Sequence, residues 1–262
     1  MDFLNKLFIS TIAEDAEKMI RRYHTGAEVS EFCTASNMDG ADFTYWDGIA
    51  RRKISCAVQS IFHAPFNELN PSAIDPRAVK LAQDRFNQAY RVASGYGIRR
   101  VVVHSGYIPR IYFKNWFHDR SVEFWKTYMA DKPDDFFIMI ENVLDDEPHT
   151  LGSIVADISD PRVGVCLDIG HANAMSDVPL EQWIDRLAPY TAHFHLHNND
   201  KKHDMHWELG KGAIDMEHIL RYILNKVPRA TITIENICCE PSMLWLSEHG
   251  FLQNKSNPAM PK

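Results

Sequence analysis

The chain has 262 residues, of which 45% are hydrophobic and 24% charged, and these proportions are typical of a globular protein with one large core. A formal net charge of −7 and a pI near 6.0 argue against a surface built mainly to bind a polyanion such as nucleic acid. The five cysteines lack disulfide-like or zinc-finger spacing, and no apolar run is long enough to span a bilayer, so we expect a cytoplasmic protein.

Short apolar segments alternate with amphipathic segments of helical length along the chain. The segments predicted as strands are residues 4–10, 26–33, 53–63, 100–105, 135–143, 163–171, 191–198 and 230–237. The segments predicted as helices are residues 13–24, 45–51, 122–129, 150–158, 180–187, 216–225 and 241–248, with a further helix that Asp75 caps and Pro76 begins. The polar, proline-containing residues 254–262 are predicted to fray.

This alternation predicts eight β-then-α units. Because the composition does not change along the chain, we expect one domain that spans residues 1–262. Eight such units close most naturally into a parallel (β/α)8 TIM barrel. A doubly wound open sheet is the alternative, but it usually has a glycine-rich phosphate turn after its first strand, and this chain has none.

Six consecutive predicted strands, the third to the eighth, end in residues that can bind metal ions. These residues are His63, His104, Glu141, Asp168 with His171, His195 between His193 and His197, and Glu235. The next loop after the seventh strand adds Asp204 and His206. The carboxyl ends of barrel strands share one rim, where crowded carboxylates would repel unless cations compensate them. Imidazole with carboxylate is the ligand set of zinc, manganese or iron rather than calcium, so the pattern predicts a metal site.

Motifs at these positions resemble the xylose isomerase-like TIM-barrel superfamily, which includes sugar isomerases and epimerases and the endonuclease IV class of DNA-repair nucleases. The resemblance extends from the second to the eighth predicted strand. It rests on His63-Ala-Pro, His104-Ser-Gly, Glu141-Asn, Leu167-Asp-Ile-Gly-His171, His195-Leu-His-Asn, Asp204-Met-His206 with Gly210-Lys-Gly212, and Glu235-Asn.

The resemblance to endonuclease IV implies three sets of metal ligands. They are a first set of His63, His104 and Glu141, a second of Glu141, Asp168, His195 and Glu235, and a third of His171, Asp204 and His206. Single-metal epimerases of the superfamily use only the second set, in which Glu141 and Glu235 also act as acid and base. We therefore expect one to three Zn²⁺, Mn²⁺ or iron ions per chain, with His197 either a ligand or directed at the substrate, and His193 lower in the barrel.

Two enzymatic functions fit this prediction. The first is hydrolysis of a small-molecule phosphoester by closely spaced metals, which the additional ligands favour. The second is isomerisation or epimerisation of a small sugar or polyol with one metal and the two glutamates. A DNA substrate fits less well, because residues 145–147 are acidic and the candidate rim cations are only Arg110, Lys114, Lys201, Lys202 and Lys211. A non-catalytic metal-binding protein is a third class.

Overall fold

Eight parallel strands close into a barrel in chain order in the computed structural model, which describes residues 3–252. The strands are Leu7–Ser10 (β1), Gly26–Val29 (β2), Ser60–His63 (β3), Arg100–His104 (β4), Phe137–Glu141 (β5), Val163–Asp168 (β6), Thr191–Leu196 (β7) and Thr231–Ile234 (β8). The helices are Ala16–Tyr23 (α1), Gly40–Ile54 (α2), Pro76–Gly95 (α3), Lys114–Met129 (α4), Pro148–Ile158 (α5), Ile169–Met175 (α6), Leu180–Leu187 (α7), Met216–Lys226 (α8) and Glu240–Glu248 (α9). The predicted (β/α)8 barrel is confirmed. The predicted frayed tail, residues 254–262, lies outside the described residues.

Several predicted strands were too long. Residues 4–6 belong to a 3-10 helix, Phe3–Lys6, and Lys53 belongs to the last turn of α2 rather than to a strand. Basic side chains in the last helical turn interact favourably with the partial negative charge of the helix end, which helps to continue α2 to Ile54. The sixth strand ends at Asp168 rather than at His171, which lies in α6, because the Asp168 carboxylate accepts a hydrogen bond from the His171 backbone N–H at 2.7 Å and caps that helix.

Side chains fill the barrel interior in layers. The lower layer is apolar and contains Phe8, Ile61, Val102, Met139 and Cys166. A Cβ at Gly26 would lie 2.4 Å from Cδ1 of Phe8, so only glycine leaves room for that ring. Above the apolar layer, nearer the carboxyl ends of the strands, the interior side chains are polar. The candidate site residues lie above these, at the carboxyl ends themselves. Side chains therefore fill the barrel interior, and a reactive site can form at the rim where the carboxyl ends of the strands lie.

The helices bury the apolar stripes that the sequence predicts. Asp75 caps α3 by accepting a hydrogen bond from the Arg77 N–H at 2.8 Å. Ala82, Phe86 and Ala89 then bury one face of α3 in the main core, and burying a phenylalanine stabilises a fold by about 1.5–3 kcal/mol. Among residues 3–252, no helix is both long and apolar enough to cross a bilayer.

Asp145 joins the loops that follow β4 and β5, and its charge is expected to cost stability. Its carboxylate is buried and accepts hydrogen bonds from the Ser105 hydroxyl at 2.8 Å and the Val143 N–H at 3.1 Å. Burial raises the pKa of Asp145 from 3.8 to about 6, although these hydrogen bonds lower it. The pKa of Asp145 is higher in the folded than in the unfolded chain. The neutral carboxyl therefore makes its full contribution to stability below pH 3.8, and this contribution is lost as the pH rises towards 6 and the group ionises.

Asp145→Asn keeps an oxygen acceptor but removes this titration. The difference between the free energies of unfolding of variant and parent is therefore expected to grow in favour of the variant by about 2–3 kcal/mol from pH 4 to pH 7, at about 1.4 kcal/mol per pKa unit. Urea unfolding across that pH range measures the difference. The matched control is Asp177→Asn, which makes the same chemical change at an exposed position. A pH-independent difference for Asp145→Asn would show that this carboxyl is not held neutral by burial.

Candidate metal centre

The nine residues predicted as metal ligands meet at the carboxyl ends of the strands in three adjoining groups. Within each group, one ligand atom per residue lies within 4.8 Å of every other. We name them the His63 group (His63, His104 and Glu141), the central group (Glu141, Asp168, His195 and Glu235) and the His206 group (His171, His197, Asp204 and His206). The predicted sets are thus brought together as sets, and His197 joins the third.

Glu141 connects the His63 group to the central group, because its two carboxylate oxygens face different histidines. Oε2 lies 3.2 Å from Nε2 of His63 and 3.4 Å from Nε2 of His104. Oε1 lies 3.1 Å from Nδ1 of His195. The side chain is 1% exposed, so it has no solvent to stabilise its charge. This is the geometry of a carboxylate that could bridge two cations.

Asp168 connects the central group to the His206 group in a similar way. Its Oδ2 lies 3.7 Å from Nδ1 of His195, and its Oδ1 lies 3.1 Å from Nε2 of His197. Within the His206 group, Oδ2 of Asp204 lies 3.2 Å from Nε2 of both His171 and His206. Two carboxylates therefore join three groups into one continuous cluster.

Hydrogen bonds fix the tautomer of three of the histidines. Nδ1 of His63 lies 2.9 Å from the carbonyl oxygen of Ala64, Nδ1 of His171 the same distance from that of Asn142, and Nδ1 of His206 the same distance from that of Glu235. A carbonyl oxygen only accepts, so each Nδ1 carries the proton. In the neutral ring, each Nε2 then directs its lone pair at a carboxylate of the cluster.

Lone pairs facing carboxylate oxygens repel unless a proton or a cation lies between them. Burial opposes protonation of His171, yet Asp168, Asp204 and Glu141 raise its pKa well above the ordinary value. Burial raises the pKa of Glu141, but the nearby histidines His195 and His104 hold it well below its usual range. The cluster therefore requires positive charge, which divalent cations would supply in place of protons.

Unpartnered buried atoms support the same conclusion. Oδ2 of Asp168 and both ring nitrogens of His197 have no hydrogen-bond partner among the described residues, although each is buried. Nε2 of His197 is near Asp168 but not in hydrogen-bonding geometry. Buried polar atoms are normally satisfied, and Oδ2 of Asp168 and Nε2 of His197 face other members of the cluster. The residues present thus fit zinc, manganese or iron in number, type and orientation.

His104 adds a neutral imidazole to the His63 group. The Phe66 ring stacks on it with centroids 4.1 Å apart and an interplanar angle of 10°. Burial lowers the pKa of His104 to about 3, against the charge of Glu141, which raises it. Metal ligation requires the unprotonated ring, so this packing prepares His104 for it.

Two residues of this region were not assigned to a ligand set from the sequence. His197 follows β7 and lies with its ring stacked on His206 at a centroid distance of 3.9 Å. Glu28 lies in the middle of β2, fully buried, and contacts His193 and His195. The available signal for Glu28 was an acidic residue inside an otherwise apolar strand. His193 lies below His195, edge-on to Phe8, as predicted.

The sequence profile of the xylose isomerase-like TIM barrel matches residues 31–254. The chain belongs to this family. This assignment confirms the resemblance carried by the strand-end motifs, and members of the family are mostly enzymes.

Individual relatives of this xylose isomerase-like protein agree with the assignment. The uncharacterised protein MJ1311 of Methanocaldococcus jannaschii is 30% identical over 203 residues, which are 68% of this chain and 64% of that protein. A D-tagatose 3-epimerase-like protein has a TM-score of 0.73 and 24% identity, covering 93% of this chain and 96% of its own. The TTHB071 protein from Thermus thermophilus, crystallised with a ZnCl₂ soak, has a TM-score of 0.71 and 21% identity, covering 94% and 98%. At these identities the two structures support the fold alone.

Proposed function

We propose that this protein is a hydrolase of small-molecule phosphoesters that uses more than one divalent cation. The observation that carries the proposal is the extent of the cluster. A single ion needs only the central group, yet Glu141 and Asp168 connect that group to two more sets of ligands. Closely spaced cations are characteristic of enzymes that transfer or hydrolyse phosphoryl groups.

The side chains of the cluster determine where a substrate can approach. Most of them are almost fully buried, but Asp204 is 31%, His206 29%, His104 15% and Glu235 12% exposed. Bound cations would supply Lewis acidity and lower the pKa of water. Glu141 and Asp168 would each hold cations of two adjoining groups, while the buried histidines exclude bulk solvent from beneath. We therefore place the phosphoryl group on the open side, over Glu235 and Asp204.

Two cavities of small-molecule size flank this opening. One, of about 390 Å³, is lined by His104 and by apolar and aromatic side chains that include Phe66, Ile108 and Tyr112. The other, of about 350 Å³, is lined by Ile12, Met205 and Ile237 together with Asp204, His206 and Glu235. The first cavity is mainly apolar, although Glu68 and Asn70 also line it, whereas the second also contains Glu14 and Asn236. The apolar part of the first cavity suits an organic group such as an aryl ring on the phosphoester.

The charges of the rim also oppose a polyanionic substrate. Lys114, one of the candidate rim cations, is paired with Asp146 at 2.8 Å and with Glu147 at 3.1 Å. Lys211 lies over the Trp207 ring, 5.0 Å from its centroid. Recognition of DNA depends on several cations free to contact phosphates, and two of the five candidate rim cations are already engaged.

Epimerisation of a small sugar is the second candidate function, and one observation favours it. Oε1 of Glu141 and Oε2 of Glu235 lie 3.1 and 3.4 Å from the same nitrogen, Nδ1 of His195. Two carboxylates at one candidate ion could remove and return a proton at carbon. This mechanism leaves the His63 and His206 groups without a role.

Metal analysis combined with a substrate panel tests the proposal. The protein would be reconstituted with Zn²⁺ or Mn²⁺, and its metal content measured by mass spectrometry. It would then be assayed with an aryl phosphomonoester, an aryl phosphodiester, duplex DNA with an abasic site, and a ketohexose. We expect two or three ions per chain and hydrolysis of an aryl ester without DNA cleavage. One ion per chain with ketohexose epimerisation would replace the proposal by the second candidate.

A further inference from the structure

Glu28 is a buried carboxylate beneath the metal centre, and none of the roles described above uses it. It lies on β2 with 0% exposure. Its neighbours are polar side chains from β7 and β8, chiefly His193, His195 and Thr233. A charged group at this depth is strongly destabilising unless it is paired and hydrogen-bonded. Packing alone would be served better by an apolar residue.

Both oxygens of Glu28 have defined partners. Oε1 lies 2.9 Å from Nε2 of His195. Oε2 accepts a hydrogen bond from the Thr233 hydroxyl and lies 3.1 Å from Nε2 of His193. His193 is fixed in turn, because its Nδ1 lies 2.6 Å from the hydroxyl oxygen of Thr231. The carboxylate is therefore held on one side and presents one oxygen to His195.

His195 differs from the other tautomer-fixed histidines of the cluster. His63, His171 and His206 donate Nδ1–H to backbone carbonyls and direct Nε2 at the carboxylates. His195 is reversed, with Nδ1 directed at Glu141 at 3.1 Å and at Glu235 at 3.4 Å. Its Nε2 faces down the barrel, where Glu28 takes the place that a carbonyl oxygen has for the other three.

We propose that Glu28 is the positioning residue of the central group: by accepting Nε2–H of His195, it keeps the Nδ1 lone pair available to a divalent cation. A carboxylate that accepts from a ligating histidine fixes the ring orientation and raises its basicity. The inference rests on a cation in the central group and not on the reaction, since both candidate functions use that group.

Glu28→Gln is the sharpest test because it changes the charge and almost no volume. Thr233 donates into the Oε2 position, so the glutamine amide nitrogen is expected to occupy the Oε1 position. From there it would donate to Nε2 of His195 and move the ring proton to Nδ1. We expect the affinity for Zn²⁺ of the central group, measured by chelator competition, to fall about 10- to 100-fold.

The tautomer can be measured without metal. Two-bond ¹H–¹⁵N spectra of the metal-free protein, recorded at a pH high enough for the His195 ring to be neutral and assigned with His195→Gln, should show Nε2–H for His195 in the parent and Nδ1–H in Glu28→Gln. The matched control is Ile61→Val in the apolar layer of the barrel. It loses a buried methyl group and so destabilises the barrel interior, but it should change neither the tautomer nor the affinity.

A second variant covers the case in which Glu28→Gln does not fold. Thr233→Val removes the hydroxyl that steadies Oε2 and leaves Glu28 in place, so a smaller loss of Zn²⁺ affinity is expected. The inference would be overturned if folded Glu28→Gln kept both the Zn²⁺ affinity and the His195 tautomer of the parent, or, where Glu28→Gln does not fold, if Thr233→Val kept the affinity of the parent. If the parent itself bound no cation, the proposed function would be wrong, but the spectra of the metal-free protein would still show whether Glu28 determines the tautomer of His195.

Discussion

Glu141→Gln is expected to lower kcat/KM at least about 1000-fold, which corresponds to the several kcal/mol that cations contribute to transition-state stabilisation. The loss should occur in either candidate function, because Glu141 belongs to both the His63 group and the central group. The same variant is expected to bind at least one ion fewer per chain. Kinetics on the substrate that the panel identifies, with metal analysis of the same sample, measure both effects.

The large effect follows from the two directions in which Glu141 points. One oxygen faces His63 and His104, and the other faces His195. Glutamine has one oxygen and one amide nitrogen, so it can face only one of these sides as an acceptor. Its N–H groups would be directed at ring nitrogens on the other side, and its lost charge would leave the cations less compensated.

A matched control separates this effect from a general loss of structure. Glu123→Gln makes the same chemical change on α4, where the side chain is 68% exposed and pairs with Arg120. It should retain activity and metal content, since exposed ion pairs contribute at most about 1 kcal/mol. Full metal content and full activity in Glu141→Gln would contradict the bridging role.

Much of the barrel was predictable because its local signals agree with one another. The Asp75-Pro76 cap and the stripe through Ala82, Phe86 and Ala89 identify α3, and the valines before His104 identify β4. Boundaries were less predictable where packing decides them. Helix α4 begins at Lys114, eight residues before the predicted start at 122, because Trp116 and Phe117 pack against the loop after β4.

The candidate ligands were predictable for a topological reason. A barrel places the ends of all its strands on one rim, so polar residues at those ends meet whatever their distance in sequence. The assignment of the ligands to three sets nevertheless depended on the resemblance to the family, because the order of the strands does not say which oxygen of Glu141 faces which histidine. Glu28 could not be assigned in this way. Its role follows from contacts with His193 and His195, more than 160 residues away in the chain.

His206→Ala is expected to separate the two candidate functions. If several ions are used, the variant should lose one ion per chain, and turnover should fall about 100-fold or more through the loss of a few kcal/mol of charge stabilisation. If only the central group binds an ion, turnover should remain close to that of the parent. Metal content and kcat, measured on one preparation of each variant, give the result.

The expected severity rests on the position of His206 within its group. Nε2 lies 3.2 Å from Asp204, and the ring stacks on His197, so its loss removes one of the two histidines at 3.2 Å from that carboxylate and the ring that packs on that imidazole. His203→Ala is the matched control, because it removes a histidine from the same loop that is 68% exposed and pairs only locally with Asp200. The control should keep its metals and its rate. Parent turnover in His206→Ala would exclude the multinuclear mechanism and leave Glu141 and Glu235 as the acid and base of a one-ion epimerase.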